Sequence, residues 1–350
     1  MVDLPNRSLP DTSAWIDRRI ISLEWFKSIR QSIGLTPFQS VNFISYENVG
    51  SNNNDLPDVV AKCAPDVEAG SMTEGEPVRL EQVLKSSTVI LALTQLSATA
   101  PLKILARKHG FRGATLPGFS RDMIPTLALD YEKIHDRVMV FKKRMDEASG
   151  VKASLSVDGK RFESFFDLRF RPGHASGGLM REPGLVANLP SGEAYIVPYE
   201  GERRGDPSQT SGVLPVQFDQ EIVLYEIKEN RARCVLSTGK FSKQEAQKLE
   251  EEPAYGNIAE VGMGVLGEWG VTAVGSTLLD EKLGLHIAFG RSEHFGGVTG
   301  PSSFNNPKNV IHIDRVYVPS VQPMITVDEV TFSFANGRTE TIMRSGKFIV

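Results

Sequence analysis

Histidine and acidic side chains concentrate in the last third of this 350-residue chain. Three of its six histidines, His286, His294 and His312, fall within residues 286–312. Asp314 follows His312 by two positions in the strand-like stretch Ile-His-Ile-Asp-Arg-Val-Tyr. A strand puts residues i and i+2 on the same face, so His312 and Asp314 present an imidazole and a carboxylate together. The pair is typical of a metal site in which one strand holds two ligands.

Two further carboxylates occupy positions where a charge is costly. Glu193 opens a strand directly after a Pro-Ser-Gly turn, and Glu260 lies in the apolar, Gly-rich stretch that contains Ala259 and Val261. An ionised carboxylate in such surroundings needs a partner or a metal ion. Together with Asp314 they are three negative charges, whose mutual repulsion two divalent cations would relieve. The cations would leave positive charge that favours a bound hydroxide, the nucleophile of two-metal hydrolases.

Each of these residues also fits an ordinary structural role. A lone histidine among apolar neighbours, such as His286, is often a hydrogen-bonded core residue, and a glutamate that opens a strand is often solvated or capping. Glycines 262, 264 and 267 follow no dinucleotide-binding pattern and also fit a bulge or close packing. The remaining histidines occur in helix-like or loop contexts and are ordinary: His109, His135 and His174.

The periodicity of apolar residues predicts a change of fold class along the chain. Helices at 12–34, 56–68, 78–85 and 100–109 alternate with strands at 41–46 and 88–93, and this alternation predicts a parallel sheet. From residue 150, strands and Gly/Pro turns dominate, beginning with an Asp158-Gly159 hairpin and broken by a helix at 242–252. We predict an α/β N-terminal domain with a parallel sheet, residues 1–150. A mainly β, α+β metal-binding catalytic domain follows, residues 151–350.

Composition narrows the function classes. Hydrophobic residues make up 40% and charged residues 23%, and the net charge is −4, which gives no reason to expect a nucleic-acid partner. No apolar run reaches membrane-spanning length, and the first residues lack the apolar core of a signal peptide. We therefore expect a cytoplasmic protein without a membrane partner. The two cysteines, Cys63 and Cys234, are too few for a Cys-based zinc site, so His and carboxylates must hold any metal.

Four motifs carry a family resemblance. They are Asn-Leu-Pro-Ser-Gly-Glu193, Glu260-Val-Gly-Met-Gly, Leu-His286-Ile-Ala-Phe-Gly and His312-Ile-Asp314. Their order and spacing resemble those of the thermophilic metallo-aminopeptidase family (aminopeptidase T and aminopeptidase S, leucyl aminopeptidases). The resemblance covers residues 150–318 well. Over residues 1–150 it is a similar α/β pattern.

The resemblance implies a homodimeric enzyme that releases N-terminal amino acids from a small peptide or peptide-like amide with two divalent metal ions, zinc, cobalt or manganese. Its metal ligands match five residues: Glu193, Glu260, His286, His312 and Asp314. Glu260 matches the bridging carboxylate. A carboxylate would shuttle the proton to the leaving amine, and Glu193 and Glu293 are both candidates. Arg291 and Tyr317, with Phe295 and Arg315, flank this set and are either substrate contacts or ordinary ion-pair and packing residues.

One departure from the family keeps a second function open. Where the family has a tyrosine, about seven residues after His286, this chain has Glu293 followed by His294. The two are a substituted ligand, a new acid/base pair or part of a surface loop. The fold is also similar to that of an iron(II) dioxygenase that opens dihydroxypyridine rings with two histidines and one carboxylate on a single Fe(II). Glu260 stands where that enzyme has its first histidine, but His286, His312 and Asp314 would still make such a triad.

Overall fold

The computed structural model describes residues 1–72, 74–306 and 309–350. It has mixed α/β content with several sheets, one of them parallel. Two compact units are present, one of residues 1–131 and 178–191, the other of residues 132–177 and 192–350. The predicted boundary after residue 150 lies within the first segment of the second unit, and the two-domain division at that residue stays a prediction.

The helices and strands of the described residues are numbered in chain order. The α-helices are α1 (Ser13–Gln31), α2 (Leu80–Ser86), α3 (Thr99–His109), α4 (Tyr131–Glu147), α5 (Lys240–Glu251) and α6 (Thr277–Asp280). The first ten strands are β1 (Val2–Leu4), β2 (Ile44–Glu47), β3 (Val59–Lys62), β4 (Glu76–Arg79), β5 (Val89–Ala92), β6 (Arg112–Thr115), β7 (Ala148–Val157), β8 (Lys160–Asp167), β9 (His174–Ser176) and β10 (Val186–Asn188). The others are β11 (Glu193–Ile196), β12 (Ser211–Phe218), β13 (Glu221–Lys228), β14 (Arg231–Val235), β15 (Ile258–Gly264), β16 (Leu285–Gly290), β17 (His312–Val316), β18 (Thr326–Phe334), β19 (Thr339–Arg344) and β20 (Lys347–Phe348).

The first unit contains two small sheets. Strands β10, β6 and β5 form a parallel sheet, and β1 to β4 form a mixed one. The strand predicted at 88–93 is confirmed as β5. The helix predicted at 100–109 is confirmed as α3, and Gly110 ends it with a left-handed φ of 78°. The helix predicted at 12–34 is α1, capped by the Thr12 hydroxyl, but it ends three residues before Gly34.

Two predictions for the first unit were wrong in part. The helix predicted at 56–68 is absent, because residues 59–62 form β3 and pair with β2 and β4. Two consecutive valines in this segment favour a strand, and the pairing overrides the helical spacing of its apolar residues. The helix predicted at 78–85 begins later, at Leu80, because Val78 belongs to β4.

The second unit contains two antiparallel sheets. An eight-stranded sheet has the order β14-β13-β12-β8-β7-β18-β19-β20, and a five-stranded sheet has the order β17-β16-β15-β11-β9. The predicted Asp158-Gly159 hairpin joins β7 to β8, with both turn residues at positive φ. The helix predicted at 242–252 is α5, which begins two residues earlier. Strands β15 and β16 are buried along their whole length and form the centre of the five-stranded sheet.

Candidate metal centre

The five predicted metal ligands lie on four neighbouring strands of the five-stranded sheet. β11 carries Glu193, β15 carries Glu260, β16 carries His286, and β17 carries both His312 and Asp314. Their side chains form two groups in which the possible ligand atoms lie within 4.8 Å of one another. The inner group is Glu193, Glu260 and His286, all buried, and the outer group is Glu260, His312 and Asp314. The structure therefore brings all five residues together, and Glu260 belongs to both groups.

Glu260 is shared because its two carboxylate oxygens face different imidazoles. Its Oε1 lies 3.2 Å from His286 Nε2, and its Oε2 lies 3.4 Å from His312 Nε2. The inner group is completed by Glu193 Oε2, 3.4 Å from His286 Nε2. The outer group is completed by Asp314 Oδ1, 3.8 Å from His312 Nε2. Each group therefore contains one imidazole, and the carboxylate between them has one oxygen for each.

Small residues on the same face of the sheet make this approach possible. Gly262 pairs with His286 across β15 and β16, and a Cβ at Gly262 would overlap the His286 ring. Ala288 pairs with Glu260 on one side and with Asp314 on the other, so only a methyl group separates the two acids. An extra residue between Ile258 and Glu260 makes a bulge in β15, a device that re-aims a side chain. The glycines and the bulge thus have the packing role that the sequence left open.

The second ring nitrogen of each histidine is held by a backbone carbonyl. His312 Nδ1 lies 2.8 Å from the oxygen of Arg291, and His286 Nδ1 lies 3.3 Å from the oxygen of Gly284. When Nδ1–H donates to a carbonyl, the lone pair of a neutral imidazole is on Nε2, the atom that faces the carboxylates here.

The donor set fits a divalent cation. It combines three carboxylates with two imidazoles, which zinc, manganese and iron all accept. Glu193 Oε2 is buried and receives no hydrogen bond from the described residues, so one acceptor faces the cluster unsatisfied. A buried acceptor without a donor is costly, and a cation would satisfy it.

In the absence of a metal, protons on the imidazoles balance the acids. Burial alone would lower the pKa of both rings, but Glu260 and Glu193 raise the pKa of His286 to about 9. Asp314 and Glu260 raise the pKa of His312 to about 10 against the same effect of burial. Burial would raise the pKa of Glu260, yet its contacts with the two imidazoles hold it well below its usual range. A cation in either group must therefore displace the proton of that group's imidazole.

A buried lysine, Lys282, and a further acid, Glu281, adjoin the inner group, and neither is predicted from the sequence. Lys282 Nζ lies 2.6 Å from Glu193 Oε1 and also contacts the Glu281 carboxylate. Burial would lower the pKa of Lys282, but these two acids hold it above its usual range, so the ammonium is charged. Burial holds the pKa of Glu281 well above its usual range. Both residues lie in the turn before β16, where nothing in the sequence distinguishes them from surface charges.

The loop after β16 brings His294, but not Glu293, towards the cluster. The Glu293 carboxylate is 41% exposed and is bound by the Arg291 guanidinium at 2.6 and 3.0 Å, an interaction that lowers its pKa. Arg291, a predicted substrate contact, is thus in an ion pair. The His294 ring centroid lies 5.3 Å from that of His312, edge to face. Burial, with the nearby charges of His312 and Arg291, lowers the pKa of His294 to about 4 and keeps the ring neutral.

The other flanking residues have structural partners. Tyr317 is buried, and its hydroxyl donates to the Pro215 carbonyl at 3.0 Å; its role as a substrate contact stays a prediction. The Arg315 guanidinium packs on the Phe218 ring and donates to the Tyr255 hydroxyl. Both residues therefore belong to the packing of this unit.

An aromatic cluster borders the site on the side of β9 and β11. Tyr195 shares the face of Glu193, two positions away, and its ring stacks on His174 at 5.1 Å and meets Phe295 edge-on at 4.9 Å. Phe295 in turn lies 5.4 Å from His312. The sequence predicts an ordinary role for His174 and gives no prediction for Tyr195. Strand alternation from Glu193 was the signal that would have found the tyrosine.

Glu200 fixes the loop that carries His294 and Phe295. Its buried carboxylate accepts hydrogen bonds from Ser292 Oγ (2.9 Å), Thr299 Oγ1 (2.7 Å) and the Val298 amide (2.5 Å). Asn257 Nδ2 donates to it at 2.8 Å from the turn before β15. The loop is therefore held at both ends against the strand that carries Glu260.

Comparison with known proteins gives a fold but no family. No protein-family model matches the chain, and no curated protein does. Among solved structures, the fold is similar to that of 2,5-dihydroxypyridine dioxygenase from Pseudomonas putida KT2440, with a TM-score of 0.57 at 12% identity over 97% of this chain and 99% of that one. Wild-type AmpT from Thermus thermophilus also matches, with a TM-score of 0.48 at 14% identity over 77% and 78% of the two chains.

The likeness to the first of these structures supports the fold. The first neighbour is named as a dioxygenase, so it does not favour the aminopeptidase resemblance over the alternative. The second is too distant in structure to carry an argument. Among the described residues, no helix combines the length and the apolar character needed to cross a membrane.

Proposed function

We propose that this chain is a metal-dependent hydrolase of the aminopeptidase type, acting on a small peptide or peptide-like amide. Two divalent ions, zinc, cobalt or manganese, would be held by the inner and outer groups with Glu260 shared between them. The homodimer and the cytoplasmic location implied by the resemblance and the composition stay predictions.

The observation that carries this proposal is that the two imidazoles lie in different ligand groups. His286 and His312 belong to different groups, joined only through Glu260. A mononuclear iron site of the facial-triad type needs two histidines and one carboxylate on one ion. Within the described residues, no group of ligand atoms within 4.8 Å contains both imidazoles. The arrangement is instead carboxylate-rich with a shared acid, as two-metal hydrolytic sites require.

The residues around the ligands have separate tasks in such a reaction. Bound divalent ions supply Lewis-acid polarisation of the scissile carbonyl and lower the pKa of water. His294, neutral and beside His312, is placed to accept a proton and return it to the leaving amine. Glu293 is less suited, because its carboxylate is exposed and Arg291 binds both of its oxygens, which lowers its pKa and its basicity. The rings of Tyr195 and Phe295 form an apolar wall on which a substrate side chain packs.

Metal content and activity of a Glu260 variant test the proposal. Protein purified anaerobically should contain two zinc, cobalt or manganese ions per chain and should hydrolyse aminoacyl p-nitroanilides. Glu260→Gln keeps the shape but removes the shared charge, so both ions and at least a hundredfold of activity should be lost. Glu250→Gln, at an exposed position of α5, is the matched control. Full metal content in Glu260→Gln would contradict a shared ligand.

A ring-opening iron(II) dioxygenase is the second candidate, and the fold likeness over 97% of the chain is the observation that favours it. It predicts one iron per chain and oxygen uptake with dihydroxypyridines. Two zinc, cobalt or manganese ions and no oxygen uptake would reject it, and one iron with uptake would reject the hydrolase.

A further inference from the structure

The two ligand groups differ in what neutralises them. Lys282, whose side chain is 1% exposed, places its ammonium 2.6 Å from Glu193 Oε1 in the inner group. In the part of the chain that the structure describes, no lysine or arginine forms an ion pair with Glu260 or Asp314. The inner group therefore lies beside a fixed positive charge, whereas the outer group has only the imidazole of His312.

This ammonium changes what the inner group offers to a cation. Lys282 occupies one oxygen of Glu193 and leaves Oε2, which has no hydrogen-bond donor, as the free ligand atom. An ammonium bound to one oxygen of Glu193 also repels a dication that approaches the other oxygen, and burial leaves the repulsion poorly screened. The outer group has no such charge, and its His312 and Asp314 are partly accessible.

We propose that Lys282 is a positioning residue that makes the inner group the weaker of two cation sites. The outer group fills first, and the ion in the inner group is readily exchanged. Lys282 holds Glu193 so that a single oxygen faces the cluster, and its charge opposes the second ion. This inference rests on the metal site of the proposed function and concerns the order of binding, not the reaction.

Calorimetric titration of the metal-free full-length protein with Zn²⁺ is the first test. The native chain should show two classes of site that differ in affinity by at least tenfold. Glu193→Gln should remove the weaker class, and His312→Ala should remove the tighter one. The proposal would be overturned if Glu193→Gln lost the tighter class of site, or if the two classes in the native chain had equal affinity. Neither result requires a variant of Lys282.

Substitution of the lysine is the second test. Lys282→Gln keeps a donor to Glu193 but removes the charge, and it should tighten the weaker class by about tenfold or more, within the range of outer-shell effects on metal affinity. Lys282→Arg keeps the charge and should preserve the difference. A weaker or unchanged second site in Lys282→Gln would overturn the proposal.

The two proposals fail in different ways. Normal hydrolysis with two equal sites would refute the role of Lys282 and leave the hydrolase standing. Two unequal sites that respond to Lys282→Gln, without any hydrolysis of aminoacyl substrates, would refute the hydrolase and leave the role of Lys282 standing. No stoichiometric binding in the native chain would refute both.

Discussion

Gly262 and His286 face each other across β15 and β16, and the imidazole of His286 fills the space that a side chain at Gly262 would need. The ring thereby reaches Glu260 in the same strand as Gly262, at 3.2 Å from Nε2 to Oε1. One missing side chain thus decides whether the inner group forms.

Gly262→Ala should displace the His286 ring and disrupt the inner group. Forcing a methyl group into this packed face should cost about 1–3 kcal/mol of folding stability, and it should weaken binding of the second metal ion by at least tenfold. Thermal unfolding and elemental analysis measure the two effects. Gly34→Ala, where the added Cβ meets open space, should change neither. Unchanged metal content in Gly262→Ala would contradict the role assigned to the glycine.

Metal-free protein should lose stability in alkaline solution. The pKa values of His286 and His312, about 9 and about 10, lie above the 6.5 of an unperturbed imidazole. Their charged contacts therefore stabilise the folded state fully below pH 6.5, and this contribution disappears as the pH rises through 9 and 10. Metal-loaded protein should show less of this loss, because a ligated imidazole carries no proton on the ligand nitrogen.

The measurement is thermal unfolding between pH 6.5 and 10, with and without EDTA. The double variant His286→Gln/His312→Gln corrects for lysines and tyrosines that titrate in the same range. If the metal-free native chain and the double variant show the same pH dependence, the imidazoles do not carry the charge inferred here.

His294→Ala should slow turnover without releasing metal. The ring is neutral and can accept a proton, but a base of pKa about 4 is weak at neutral pH. The loss of kcat should therefore lie at the lower end of the range for a general base, about 10²-fold. Steady-state kinetics on aminoacyl p-nitroanilides, with metal content measured in parallel, separate catalysis from binding. Glu293→Gln, next in sequence but paired with Arg291, is the control and should retain most activity. A larger loss in Glu293→Gln than in His294→Ala would reverse the two roles.

Glu200→Gln should loosen the loop at residues 292–299. The amide cannot accept all the hydrogen bonds that the carboxylate accepts, and each buried donor left unpaired costs about 1–3 kcal/mol. Hydrogen exchange of the loop amides should accelerate while that of β15 stays slow. The Arg171 guanidinium also binds Glu200 Oε2 at 3.2 Å and Glu202 Oε1 at 2.7 Å, so Glu202→Gln removes only this second partner of Arg171 and should leave the loop protected. Equal exchange in the two variants would show that Glu200 does not hold the loop.

Part of the candidate ligand set could be predicted from local sequence, because strand alternation is a local rule. His312 and Asp314 share a face by spacing alone, and a glutamate among apolar residues, as at position 260, signals an unusual burial cost. The grouping of the ligands could not be predicted, because it depends on the register of β15 with β16 and on the bulge before Glu260.

The burial of Lys282 is a clearer example of a feature that could not be predicted from the sequence. A lysine in a turn is normally solvated, and only the packing of the turn against β15 encloses its ammonium beside Glu193. The helix wrongly predicted at 56–68 has a similar cause, since pairing with β2 and β4 decides the conformation of β3. Features that depend on residues distant in sequence could not be predicted, whereas features determined within a few residues could be.

β17 lies at the edge of the five-stranded sheet, bonded to β16 on one side, and it carries both His312 and Asp314. Edge strands open more readily than central ones. When this strand separates from β16, the outer group loses two of its three ligands at once. Release of the ion and local opening of the strand therefore have the same energy barrier. An ion bound there stabilises the pairing of β17 with β16, and its rate of release measures how often this edge strand opens.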